Sequence, residues 1–318
     1  MGSPPRKHHY LPQFYMRAFA NRRNQVRVLD RKTGRSFTTH TANVFAERDY
    51  YTIASVDAED DPELIEGLYS EVDSHTAPVH ERLLADDFPL DGQARADFAA
   101  FMALQVARGP EHERTVSEAT RLLGQKVLQA LAHASSDYWA RKRAAWEKNP
   151  TGPEPPPAPA PDQLRMLQEG CRFDLVPSRE HVVETRFLSV EETTFAFMAM
   201  TWRLLRFDAP CLFSSEHPIS YWRSHHNGCS PVGIGPMTAD EIRFPLSPTR
   251  ALVLTPPEPG RKMFDRSQNE GACDPTTTAA RVLNWGTLTS PPSQRLLLSP
   301  DVQHHPLPVI GVPTQGIV

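Results

Sequence analysis

The chain lacks most of the features that would assign it quickly. Only four of its 318 residues are cysteine (Cys171, Cys211, Cys229 and Cys273), and no two form a C-x-x-C pair. That spacing excludes a zinc ribbon or a thioredoxin-type motif, and reduced, partly buried thiols are expected. Long apolar runs are missing as well. The longest, near Phe195 to Trp202, is interrupted by Thr201 and Arg203 and falls far short of a membrane span. Arg6, Lys7 and His8 stand where a secretory apolar region would begin, and Gly2-Ser3 lacks the Ser/Thr of a myristoylation signal. A cytoplasmic protein without a membrane partner is therefore expected. No phosphate-cradling Gly-rich loop, H-E-x-x-H or G-x-S-x-G motif occurs, and no internal repeat is visible. Gly233-Ile234-Gly235-Pro236 is a turn fragment, not a dinucleotide fingerprint.

What is present is the composition of a globular protein, 39% apolar and 23% charged, long enough to bury a real core. The net charge of −4 hides an asymmetry: residues 1–46 hold nine Lys/Arg against one acid, Asp30. Such a basic arm either lies on the chain's own acidic surface or meets an anionic small molecule or nucleic acid through residues 6–35. The same arm carries Arg6-Lys7-His8-His9-Tyr10-Leu11-Pro12-Gln13-Phe14-Tyr15, with two histidines and two tyrosines in ten positions.

In chain order, Gln25–Asp30 alternates as a strand, Lys32-Thr33-Gly34-Arg35 turns, and Ser36–Thr39 returns, which makes a hairpin. A short strand is expected around Tyr50–Ile53. A first helix begins after Asp60-Asp61-Pro62, with Leu64, Leu68, Val72, Val79 and Leu83 as its buried stripe and Pro78 forcing a kink or restart. Glu71 and His75 fall at one edge of that stripe.

The second helix puts Phe98, Phe101, Met102, Gln105 and Arg108 on one face, with alanines opposite. An amide and a guanidinium on a buried face either tie a structural network together or face a pocket. Gly109-Pro110 ends this helix. A long polar helix from Glu111 to Lys148 follows, with the stripe Leu122, Leu123, Val127, Leu128 and Leu131. Residues 149–161 hold seven prolines and read as a spacer.

A helix over Val190–Phe207, apolar nearly all round, reads as a central core element. Cys211-Leu212-Phe213 reads as a buried strand that empties into the polar loop Ser214-Ser215-Glu216-His217-Pro218, where functional groups are often displayed. Glu241–Leu246 and Arg250–Thr255 are expected to pair across Ser247-Pro248-Thr249. A last helix is expected over Thr276–Ser290, carrying Asn284, then a strand at Arg295–Leu298 and a Pro-rich tail from 299 to 318. The fold class is α+β: one domain over residues 7–298, interrupted at 149–161, with a helical core, an N-terminal hairpin and further antiparallel strands.

Lys7-His8-His9-Tyr10-Leu11-Pro12-Gln13-Phe14-Tyr15-Met16-Arg17-Ala18-Phe19 resembles the opening of a bacterial domain family of unknown function, numbered 4238, whose members begin His-His-Tyr-x-Pro. Gln105-Val106-Ala107-Arg108-Gly109-Pro110 is similar to that family's Gln-x-x-Arg-Thr-Pro helix end, and Ser214–Pro218 to its Thr/Ser-Ser-Asp-Asn-Pro loop. Phe244–Pro248 and Leu283-Asn284 fall in the same order. The resemblance covers residues 7–290 and implies no established activity. It groups His8, His9, Tyr10, Gln105, Arg108 and the 214–218 loop into one constellation, with Glu71 and Asn284 at its margin. The chain departs from the pattern with Glu216 for Asp and His217 for Asn.

The expected function is a hydrolase acting on an anionic substrate, such as a phosphoester or nucleotide. His8 or His9 serves as general base, Glu216 as its carboxylate partner, and Arg108 holds developing negative charge. Tyr10, Gln105, His217 and Asn284 contact substrate. A divalent metal held by His8, His9, Glu71 and Glu216 is the metal-dependent version. The rival readings are a binding module without turnover and a toxin or defence effector.

Overall fold

The computed structural model describes residues 7–48, 50, 64–132, 136–150, 154, 157, 160–168, 175–223, 235–257, 271–273, 277–289 and 295–301. The expected strand reaching Ile53, most of the 149–161 spacer and the tail beyond Asp301 lie outside these residues. So do Cys171 and Cys229.

Two compact units are present: residues 1–112 with 183–318, and residues 113–182. The first begins with β1 (Lys7–His9) and α1 (Gln13–Arg17). The hairpin β2 (Gln25–Asp30) and β3 (Ser36–His40) follows, then β4 (Ala46–Arg48), α2 (Leu64–Leu84) and α3 (Gly92–Arg108). Helices α4 (Pro110–Ala132), α5 (Ser136–Lys148) and α6 (Pro161–Gln168) make up most of the second unit, and α7 (Arg179–Ala199) returns the chain to the first. There follow β5 (Thr201–Arg206), β6 (Ser214–Ser215), β7 (Ser220–Trp222), β8 (Glu241–Ser247), β9 (Arg250–Thr255), β10 (Gly271–Cys273), α8 (Thr277–Thr289) and β11 (Arg295–Leu298). The class is α+β, as the sequence predicts.

The strands form a five-stranded sheet in the order β10-β5-β9-β8-β7, a four-stranded sheet β3-β2-β11-β6, and the pair β1-β4. All pairings are antiparallel except β10 with β5. The predicted β2–β3 and β8–β9 pairs both form, and β11 closes against β2. Every residue of β8 is buried, so this strand is the middle of the core.

Helix α3 explains its own composition. Phe98, Phe101, Met102, Gln105 and Arg108 are buried on one side, and Ala99, Ala103 and Ala107 are buried on the other. Small residues stand opposite because neighbours press on both faces. Asp91 caps it, its carboxylate accepting from the Ala94 amide at 3.0 Å.

Three expectations change. The helix predicted over 190–207 stops at Ala199, and Thr201–Arg206 is a strand between β10 and β9. Its buried residues Trp202, Leu204 and Leu205 fall on both faces, so its pattern does not differ from that of a buried helix. Side chains close that helix end. Arg95 donates to the carbonyls of Met198 at 3.3 Å and Met200 at 2.5 Å, with its guanidinium 4.3 Å over Trp202. The long helix from Glu111 is two helices, α4 and α5, and Leu123 and Val127 are exposed rather than forming a buried stripe. On α2 the buried line is Ile65, Tyr69, Thr76, Val79, His80 and Leu83, while Leu68 is exposed and the helix runs through Pro78.

His80 fastens α2 to the central sheet. Its Nε2 donates to the Leu246 carbonyl at 3.2 Å, and its ring stacks on Phe98. Burial pulls its pKa from 6.5 to about 4. The unfolded chain takes up this proton near 6.5 and the folded chain near 4, so the unfolded state holds more protons in between. The stability linked to neutral His80 is complete above pH 6.5 and is lost as pH falls toward 4, by about 3 kcal/mol. His112, also lowered to about 4 by burial, adds to the same window. Urea unfolding between pH 7 and 4.5 is expected to show that decline, and His80→Phe is expected to flatten it.

Candidate functional site

The opening stretch is held as a strand by its main chain. β1 pairs with β4 in the register His8 with Glu47, and the Tyr10 amide donates to the Phe45 carbonyl at 3.0 Å. Lys7 donates to the Ala42 carbonyl and to Asn43 Oδ1, each at 3.2 Å. Strand alternation separates the two imidazoles: His8 is buried on one face and His9 is half-buried on the other. Tyr10 is buried, and its ring meets Phe45 edge-on and Tyr50 at 5.9 Å.

Helix α3 reaches this strand with its last turns. Gln105 Nε2 donates to the Tyr10 carbonyl at 2.8 Å, and Gln105 Oε1 is buried with no hydrogen-bond partner. One turn further on, Arg108 Nη1 donates to both Asp73 oxygens at 2.9 and 2.8 Å, and its guanidinium lies 4.5 Å over the Tyr69 ring. Arg108 is only 3% exposed, so an acid beside it is required. Burial pushes the Asp73 carboxyl up and Arg108 opposes that push. Glu66, one helical line back from Tyr69 and Asp73, is also raised by burial, with Arg108 lowering it, and its Oε2 is buried without a partner.

A second guanidinium closes the ring of aromatics. Arg186 of α7 donates to the Tyr50 hydroxyl at 3.2 Å and lies over the Tyr50 ring. Its charge opposes the burial-driven rise of the Tyr69 pKa and helps burial to lower that of His112. His9 is held below its ordinary value first by burial, and further by Lys7 and Arg108. Its Nε2 is buried without a partner, while main-chain carbonyls of Thr41 and Ala42 engage the ring.

On the other side of Tyr10 lies the 214–218 loop. Burial raises the Tyr10 hydroxyl pKa, Arg295 opposes that rise, and Glu216 reinforces it. Glu216 continues the β6–β11 ladder: its amide donates to the Arg295 carbonyl and its Oε1 accepts from the Arg295 amide, both at 3.3 Å. His217 Nε2 stands 4.0 Å from both Glu216 and Glu111. The His217 ring lies in van der Waals reach of the helix end at Gly109.

Over residues 7–304 the chain matches the model of a family described as Protein of unknown function (DUF4238). The chain belongs to that family. No curated protein and no solved structure matches it.

Of the residues singled out in this DUF4238 sequence, Gln105 bonds to Tyr10, Arg108 acts on His9 and Glu216 on Tyr10 electrostatically, and His217 lies against the end of α3 at Gly109. Three readings need correction. Glu71 is exposed on α2, and the acid that meets Arg108 is Asp73, two positions on. The set His8, His9, Glu71 and Glu216 does not assemble as one ligand shell, since strand alternation parts the histidines and Glu71 faces solvent. Among the described residues no group of three or more His, Cys, Asp or Glu converges on a metal position. Asn284 is structural: its Oδ1 accepts from the Phe213 amide at 3.2 Å and its Nδ2 donates to the Cys211 carbonyl at 2.9 Å. It takes the place of a strand partner for 211–213, which is why that predicted strand begins only at Ser214.

Sequence reasoning missed Glu66, Tyr69, Asp73, Glu111, His112 and Arg186. Arg186 carried the same signal as Arg108, a cation in line with buried Val182 and Val183.

Two outcomes follow for stability. Asp73→Asn is expected to cost about 3 kcal/mol in urea unfolding, because it leaves a buried guanidinium without its counter-charge. Asp73→Leu combined with Arg108→Met is expected to recover most of that loss. Asn284→Leu, which leaves two buried backbone groups unpaired, is expected to cost about 2 kcal/mol in the same assay.

Proposed function

We propose that this protein is a hydrolase of an anionic substrate, working by acid–base chemistry around His9 and Arg108. The observation that carries the reading is the state of His9. Its imidazole is kept neutral by burial and neighbouring positive charge, and its Nε2 lone pair has no partner. A neutral imidazole with an open lone pair suits a general base.

Two guanidiniums, Arg108 and Arg186, bring positive charge to the region, and positive charge helps lower both His9 and His112. That sign favours an anion. In this reading Arg108 and Arg186 together hold the charge that develops on the substrate. In the proposed step, water attacks the electrophilic centre, its proton passes to His9 Nε2, and Gln105 Oε1 accepts the second water hydrogen. His217, between Glu111 and Glu216, supplies the proton that the leaving oxygen takes up.

The rival, a module that binds an anion without turnover, draws support from the structural bonds already made by Gln105 and Arg108. One assay separates the two. Wild-type protein and His9→Gln are compared on p-nitrophenyl phosphate, bis-p-nitrophenyl phosphate and p-nitrophenyl acetate. Turnover is expected with at least one, falling about 100-fold or more in the variant. The acid limb of kcat/KM is expected below pH 6.5, because His9 is lowered from that value. Undiminished turnover in a folded His9→Gln protein would remove His9 as the base. No turnover on any of the three would favour the binding module.

A further inference from the structure

We propose that the β2–β3 hairpin is a docking surface for single-stranded nucleic acid. The proposal rests on the anionic-partner reading only for the sign of the ligand and does not require turnover. Residues 7–48 hold nine Lys/Arg against two acids, Asp30 and Glu47. Arg22 and Arg23 stand just before β2, and Lys32 and Arg35 lie in the turn beyond it. All four are exposed, and among the described residues none lies within ion-pair distance of a carboxylate. The chain's own described acidic surface therefore does not cover them. Asp30, the acid nearest the turn, is occupied there, its carboxylate accepting from the Thr33 amide at 2.9 Å.

Six residues of β2, at about 3.4 Å each, separate the two basic ends by roughly 20 Å. That spacing suits several consecutive phosphates on an extended strand. Between the ends, β3 is the outermost strand of its sheet and carries Phe37, an aromatic 44% exposed. An exposed ring between basic ends provides a stacking platform with phosphate contacts on either side. Three of the four cations are arginine, whose planar fork matches phosphate oxygens better than an ammonium does. A duplex keeps its bases stacked on one another, so Phe37 favours the single strand. The chain's net charge of −4 gives no long-range attraction, so the contact must be local and salt-sensitive.

The test is fluorescence anisotropy with labelled oligo-dT and oligo-rU of about 12 nucleotides, a duplex of the same length, and heparin as a polyanion without bases. The protein variants are Arg22→Ser/Arg23→Ser/Lys32→Ser/Arg35→Ser, Phe37→Ser and His9→Gln. The single strands are expected to bind more tightly than duplex or heparin, with log K falling against log salt with a slope of about −3 for four phosphate contacts. The fourfold variant is expected to lose binding at least tenfold, and Phe37→Ser to lose the preference for single strands. His9→Gln is expected to bind as wild type, which separates this surface from the chemistry at His9. Absence of binding at low salt, equal binding of all four probes, or undiminished binding by a folded fourfold variant would each overturn the proposal.

Discussion

A guanidinium buried at the end of a helix has to be matched, and much of this structure follows from how Arg108 is matched. Its partner, Asp73, sits on α2, so the bidentate pair fixes the rotation and register of α2 against α3. That rotation brings Tyr69 under the guanidinium and Glu66 into its field. Tyr69 in turn stacks on Phe187 and feels Arg186, and Arg186 holds Tyr50 against Tyr10. One ion pair thus organises side chains from β1, α2, α3 and α7. Gly109-Pro110 stops α3 directly after Arg108, which lets His217 come close to the backbone at the helix end.

A second theme is side chains that do the backbone's work. Arg95 takes up the carbonyls at the end of α7, Asn284 pairs the backbone at Cys211 and Phe213, Glu216 accepts from the Arg295 amide, and Gln105 donates to the Tyr10 carbonyl. Buried main-chain groups need partners wherever regular pairing stops. These polar residues are buried for that reason, and a buried polar residue in a sequence looks the same whether it serves backbone or ligand. Asn284 uses both ends of its amide on the main chain. Gln105 uses one end and leaves Oε1 unpaired, and His9 leaves Nε2 unpaired.

The parts of the fold that were readable in the sequence are those with local rules. The β2–β3 hairpin announces itself by alternation and a Gly-containing turn, and α3 by its period and its Gly-Pro stop. What was not readable depends on the third dimension. Thr201–Arg206 lies between two strands of its sheet with Trp202, Leu204 and Leu205 buried on both its faces, which no period reveals. On α2, reading Leu68 in place of Tyr69 as buried rotates the helix by about 100°. The six residues grouped at the site come from three separate stretches, and only the ordered set of short motifs tied them together in advance.

The departure at Glu216-His217 can be argued through from the same contacts. A carboxylate on a longer arm would displace a position tuned to Asp, which is a concern if that carboxylate touched substrate directly. Here Glu216 bends to its neighbouring strand and accepts from the Arg295 amide, so its extra methylene extends the ladder rather than reaching into the region between Tyr10 and His9. An Asp at this place would fall short of that amide and keep its carboxylate nearer the loop. His217 then occupies the space beside the helix end, between Glu216 and Glu111, with Ser215 holding its backbone through bonds of 3.1 and 2.7 Å. The loop therefore keeps a carboxylate, turned to its neighbouring strand, and adds an imidazole 4.0 Å from two carboxylates.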